Sequence, residues 1–143
     1  EEGIVPGGGI ALFEIAKELT NNKNKYFPVI GDEAKGVDIL LRALEYPLRT
    51  IVENAGKAPE DVFTHLLKEN KQGVGFNALT GEFVEMTKEG IIDPTKVVKT
   101  ALSNASSVAS LILISEAVIS EIPEKKQTNP VSSMPDYSDE EGY

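Results

Sequence analysis

Gly7-Gly8-Gly9 stands directly before an apolar-periodic segment. Absent side chains let a ligand approach the backbone, and the free amides of a helix start face negative charge. The same glycines also serve a tight turn into a helix. They match neither the Gly-x-x-x-x-Gly-Lys-Ser/Thr loop nor the spaced dinucleotide fingerprint, so both readings stay open. A second group gathers Phe76, Asn77, Ala78, Ile91 and Asp93. An asparagine amide donates to and accepts from the edge of a base, apolar neighbours pack on its face, and a carboxylate accepts from ribose hydroxyls. The competing reading has Asn77 supporting a turn, Phe76 filling the core and Asp93 capping a helix, and the residues alone favour it.

Other chemistry is thinly represented. There is no cysteine, hence no disulfide, thiolate zinc site or cysteine nucleophile, and the single histidine, His65, excludes a multi-histidine metal site. His65 shares no motif with an acid or nucleophile and reads as a surface or packing residue. Glu1-Glu2, Glu60-Asp61 and Glu140-Glu141 read as solvated charge, and no serine sits in a nucleophile elbow. No catalytic residue and no metal site is assigned.

The elements that must position these residues follow from periodicity. Ile10, Leu12, Phe13, Ile15, Ala16 and Leu19 predict a helix from Gly9 to Thr20, with Glu14, Lys17 and Glu18 on its polar side. Residues 21–28 predict a loop. From Asp32, as N-cap, the series Val37, Leu40, Leu41, Leu44, Leu48, Ile51 and Val52 predicts a long helix that kinks or restarts near Glu45 because of Pro47, and stops at Gly56. Pro59 opens a further helix to Asn70, with Val62, Phe63, Leu66 and Leu67 as its apolar face.

Residues 73–84 predict a β-hairpin turning at Leu79 to Gly81. Asp93-Pro94 predicts a helix start, with Asp93 as cap, for a helix running to Ser115. Apolar residues on nearly every side from Val108 onward predict that this helix is central and largely buried. Ala117, Val118, Ile119 and Ser120 read as a terminal strand. Residues 123–143 read as a disordered acidic tail. The expected fold class is mainly α, a helical bundle with a small β-hairpin.

Of 143 residues 41% are hydrophobic and 26% charged, the usage of a chain that buries a core. Fourteen Lys and Arg against 23 Asp and Glu leave a net charge of −9, which disfavours nucleic-acid backbones and anionic lipid as partners. The longest apolar stretch, Val108 to Ile114, falls short of the roughly 20 residues that span a bilayer. Glu1 is not a methionine, and Glu1 to Val5 have neither the basic start nor the apolar core of a signal peptide, so a fragment or processed product is expected.

Taken in order, Glu1 to Gly9, Arg42-Ala43-Leu44-Glu45-Tyr46-Pro47-Leu48-Arg49, Asn54-Ala55-Gly56, Gly75-Phe76-Asn77-Ala78, Gly90 to Lys96 and Ala101-Leu102 resemble a group I chaperonin over residues 1–122. The resemblance implies the C-terminal half of an equatorial domain, which binds ATP and assembles rings, and so residues 1–122 as a domain part followed by the tail. It implies that Gly8 approaches an ATP or ADP nucleotide, that Phe76, Asn77, Ala78 and Leu79 surround adenine, that Ile91 packs near it and that Asp93 holds the ribose. This reverses the preference for the turn-and-cap reading.

The resemblance also implies that Ala117 to Ser120 pairs with a neighbouring subunit of the ring, and that Arg49 and Ala58, Pro59, Glu60 and Asp61 lie where two rings meet. At Ala58 an acid able to pair across the rings is lacking. The family's phosphate- and magnesium-binding loop and catalytic aspartate fall outside this sequence, so ATP hydrolysis by this chain alone is not expected, and the Mg and K ions belong to the full-length parent. Co-chaperonin and non-native proteins bind through parts absent here. The ending resembles plastid-type members more than Gly-Gly-Met tails, suggesting an organelle interior or, otherwise, a bacterial cytoplasm.

Overall fold

The computed structural model describes residues 2–121. The elements run β1 (Ile4–Pro6), α1 (Ile10–Asn21), α2 (Lys23–Tyr26), α3 (Asp32–Asn54), α4 (Pro59–Glu69), β2 (Val74–Asn77), β3 (Glu82–Glu85), β4 (Ile92–Pro94) and α5 (Thr95–Leu113). The fold is mainly helical with two small antiparallel sheets, β1 with β4 and β2 with β3.

The core lies where α1, α3, α4 and the β2–β3 hairpin meet. Ile10, Phe13, Leu48, Val52, Val62, Phe63, Leu66, Phe76 and Met86 form one buried cluster. The Phe13 and Phe63 ring centroids lie 5.2 Å apart, and Phe76 meets Phe83 edge-on at 5.9 Å. α1, α3 and α4 each contribute the stripe their periodicity marks, apart from edge positions such as Ile15, Leu40 and Leu67, which remain exposed.

Gly9 shows why α1 begins where it does. Its φ is +79°, and a β-carbon there would sit 2.6 Å from the Leu48 backbone nitrogen, so any side chain would drive α1 and α3 apart. α3 then continues through Pro47 as a single helix, without the restart expected near Glu45. Pro47 and Ala43 are both exposed, so the carbonyl that loses its partner faces water, while Leu44 and Leu48 hold the helix against the core on the other side. Within residues 21–28, expected as loop, α2 forms a single turn, and Gly31 rather than Asp32 occupies the α3 N-cap.

The hairpin forms as expected, with Phe76 opposite Phe83, Asn77 opposite Glu82 and residues 78–81 as its loop. Asp93 differs from expectation. It lies in β4 opposite Val5, and α5 starts at Thr95 with no side-chain cap. The Thr95 N–H donates to the Gly3 carbonyl at 3.1 Å, so pairing with β1 does the work the cap was expected to do.

α5 also departs from expectation. It has no buried residue and packs within this chain mainly where it leaves β4, helped by Lys99 Nζ at 3.0 Å from Glu2 Oε2. Its apolar sides find no covering element among the described residues. Ala117 to Ser120 likewise form no strand with any of the described residues, and Ile119 is 98% exposed among them. The expected tail at 123–143 lies outside the described residues. Among the described residues no helix is long and apolar enough to cross a membrane.

Candidate functional site

Two short segments distant in sequence build one wall. The Gly7 N–H donates to the Ile91 carbonyl at 2.9 Å, just beyond the β1–β4 pairing, which lays the glycine loop along residues 91–93. Gly8 follows with φ +63°, and a β-carbon there would meet Met86 Cε at 2.7 Å and Ile91 Cγ2 at 3.9 Å. Gly8, Ile91 and Asp93 are thereby brought together. Gly8 and Asp93 both line a groove of about 810 Å³ between α1, α3 and α5, whose lining also includes Leu40 and Leu44. Among the described residues no side-chain hydrogen bond or ion pair holds the Asp93 carboxylate, which is half-buried.

The hairpin presents its residues differently. Phe76 is 3% exposed and belongs to the core, so its ring supports the hairpin and is not offered to a base. Asn77 Oδ1 accepts from the Leu79 and Thr80 backbone amides at 3.0 and 3.4 Å, the turn-supporting role weighed for it, and its Nδ2 amide remains available as a donor. Ala78 is exposed, and Leu79 is 94% exposed at the tip. Ile91 packs against the edge of the core.

The expected ring-contact residues sit at the α3–α4 corner. Arg49 Nη1 lies 2.6 Å from Glu60 Oε1, and the guanidinium stands 5.1 Å from the Phe63 ring centroid. The hydrogen bond with Arg49 lowers the Glu60 carboxyl below its ordinary range and raises Arg49 in turn. Ala58 is the exposed N-cap of α4, Pro59 is buried, and Glu60 and Asp61 lie in the first turn, where the helix dipole favours acids. Arg49 thus has an acid within its own chain. His65 stacks on Phe83 with centroids 3.8 Å apart, the packing role expected of it. Glu69, close to His65, is lowered chiefly by its hydrogen bond with Lys71. Among the described residues no group of three or more His, Asp or Glu is gathered to hold a metal ion.

Two residues that sequence reasoning passed over shape this region. Met86 fills the space between Gly8, Gly75 and the core. Glu14, assigned to a polar face, is half-buried, and its Oε1 accepts the Gly73 N–H at 2.6 Å. No local signal marks either one, since their partners lie in other segments.

The mainly helical fold with small antiparallel sheets and a glycine loop laid on a short strand is that of a chaperonin equatorial domain. The family model of the TCP-1/cpn60 chaperonins matches residues 1–123. The chain belongs to that family. Among solved structures it is similar to a group III chaperonin in the open state, at 34% identity and TM-score 0.71 over 82% of this chain and 24% of that one. It is also similar to the open-state monomer of a group II chaperonin from Methanococcoides burtonii, at 29% identity and TM-score 0.69 over 78% of this chain and 28% of that one. The chain therefore spans about a quarter of the length of the chaperonins it matches.

Proposed function

We propose that this chain is the adenosine-side part of the nucleotide-binding domain of an ATP-driven, ring-forming folding chaperonin of the group I kind. The observation that carries the reading is the meeting of Gly8, Ile91 and Asp93 through the Gly7–Ile91 hydrogen bond and the Val5–Asp93 pairing. A backbone without a side chain and a carboxylate without a partner among the described residues line one groove, which suits a ligand carrying hydroxyls. In this reading Asp93 accepts from the ribose hydroxyls, Gly8 allows close approach, Leu79 and Ala78 offer apolar surface to the base, and Asn77 Nδ2 donates to its edge. Phe76 acts from behind, as core. The group I assignment rests on the motif series, while the two solved structures are of groups II and III.

ADP and ATP titrations followed by backbone amide NMR test it. Saturable shifts at Gly8, Asn77 and Ile91 are expected. Asp93→Ala should weaken ADP by roughly tenfold or more, the loss of a hydrogen bond to a charged group. Equal affinity in the variant would overturn the ribose assignment.

A second reading is favoured by α5 and by the groove itself. Val97, Ala101, Leu102, Ala105 and Leu113 line the groove's open side and are half-buried at most, and apolar surface of this extent is usually covered by a partner. In that reading the chain self-associates through this face without useful nucleotide affinity. Sedimentation that stays monomeric over a wide concentration range would exclude it. In the ring reading, Ala117 to Ser120 pair with a neighbouring subunit, and Arg49 with residues 58–61 faces a second ring.

A further inference from the structure

The hairpin that carries Asn77, Ala78 and Leu79 is attached to α1 at two points. At one, the Glu14 carboxylate accepts the Gly73 N–H at 2.6 Å. At the other, Gly75 presses so closely on the first turn of α1 that a β-carbon would lie 2.4 Å from Ile10 Cγ1. Ile10 and Glu14 are one helical turn apart and share a face, about 6 Å along the axis. Gly73, with φ +75°, is the turn residue that leads into β2, and Gly75 lies within β2. Glu14 holds the residue before β2 and Ile10 meets Gly75 inside it, so α1 and the entry to β2 run in opposite directions and touch at two points. A one-residue slip of the hairpin would turn the Gly73 amide away from Glu14 and bring Val74 against Ile10.

Gly73 is also where the hairpin closes. Its carbonyl accepts the Met86 N–H at 3.0 Å, and the Met86 carbonyl accepts the Ile91 N–H at 2.8 Å. One carboxylate on α1 therefore holds Gly73 by its N–H, while the Gly73 carbonyl takes Met86 and the Met86 carbonyl takes Ile91. The stacked ring of His65 braces the hairpin from the α4 side but fixes no register, since stacking tolerates sliding.

We propose that Glu14 is a positioning residue: its bond to Gly73 fixes the register of the hairpin on α1 and so the place of Asn77 to Leu79 relative to Gly8. The consequence for nucleotide rests on the reading given under Proposed function. The bond itself does not. It crosses 59 residues of sequence and ties the entry of the hairpin to α1.

The test uses the whole chain, with Glu14→Ala and Glu14→Gln beside the unaltered protein. In the unaltered chain the Gly73 amide proton should lie downfield and should move as the Glu14 carboxylate is protonated, a dependence lost in E14Q. In E14A the Gly73 amide should exchange with solvent about tenfold faster, and the amides of Asn77 to Leu79 should shift although they lie far along the hairpin. E14Q, which keeps an acceptor oxygen, should restore most of those positions. A Gly73 amide indifferent to Glu14 ionisation, or E14A shifts confined to Gly73 and its neighbours, would overturn the proposal. ADP affinity separates the two ideas. If ADP binds, E14A should weaken it about as much as it speeds Gly73 exchange, and unchanged affinity would refute the positioning role. If the unaltered chain shows no ADP shifts, the nucleotide reading fails, and the clamp is decided by the hairpin shifts alone.

Discussion

The segment around α1, α3, α4 and the hairpin and the segment from α5 to residue 121 have similarly apolar sequences and opposite fates. In the first, residues as distant as Ile10, Leu48, Phe63, Phe76 and Met86 close on one another. In the second, Val108, Leu111, Ile112, Leu113 and Ile119 remain largely exposed. Apolar periodicity states that a face gains by leaving water, at about 25 cal/mol per Å² removed, but it does not name the surface that will cover it. The first segment carries its own cover. The second finds no such cover among the described residues.

The largest test of this contrast is Leu48→Ala. Leu48 is fully buried, and its truncation should cost about 3 kcal/mol in urea unfolding from lost transfer and the cavity left behind. Gly9→Ala should be similar in kind and somewhat smaller, about 2 kcal/mol, because it adds a β-carbon at positive φ against the α3 backbone. The same truncation on α5, Leu111→Ala, should change stability by no more than about 0.5 kcal/mol. A loss matching that of Leu48→Ala would break the comparison and show that α5 is covered in solution by another copy.

Hydrogen exchange sharpens the contrast without mutation. The amides of Leu48 and Val52 should exchange only on global unfolding, and those of α5 beyond Ala101 through local opening, at least about a hundredfold faster. The smallest effect is expected at the Arg49–Glu60 pair, which is open to solvent. Glu60 is held below its ordinary range, so the pair contributes above that range and its contribution fades as pH falls through the lowered value, while Arg49 stays charged. Glu60→Gln should remove that acid-limb dependence with barely a change in midpoint at neutral pH.

Much of the packed half was legible because its signals are local. The stripes of α1, α3 and α4, the Pro59 start and the hairpin between Val74 and Glu85 depend on spacing within a few turns or on turn residues. Asp93 shows the limit. Asp93-Pro94 carries the local signature of a helix start, yet residues 92–94 form a strand with residues 4–6, and three-residue strands with a proline on each side of the pair give no alternation to read. Gly8, Ile91 and Asp93 could be singled out one by one, but their meeting depends on that pairing. Glu14 was assigned to solvent because a wheel sees charge and not the orphaned Gly73 amide waiting across the fold.

By itself the sequence determined the helices, the hairpin, the acidic charge, the absence of thiol chemistry and, through its ordered motifs, the chaperonin family. Only the tertiary structure decided that β1 pairs with β4, that Phe76 is core while Leu79 is surface, that α5 finds no cover among the described residues and that Glu14 holds the hairpin. The physical reason is the range of the forces involved. Helix and turn preferences act over a few residues, whereas a ladder, a buried face or a carboxylate on a distant amide depends on which segments meet.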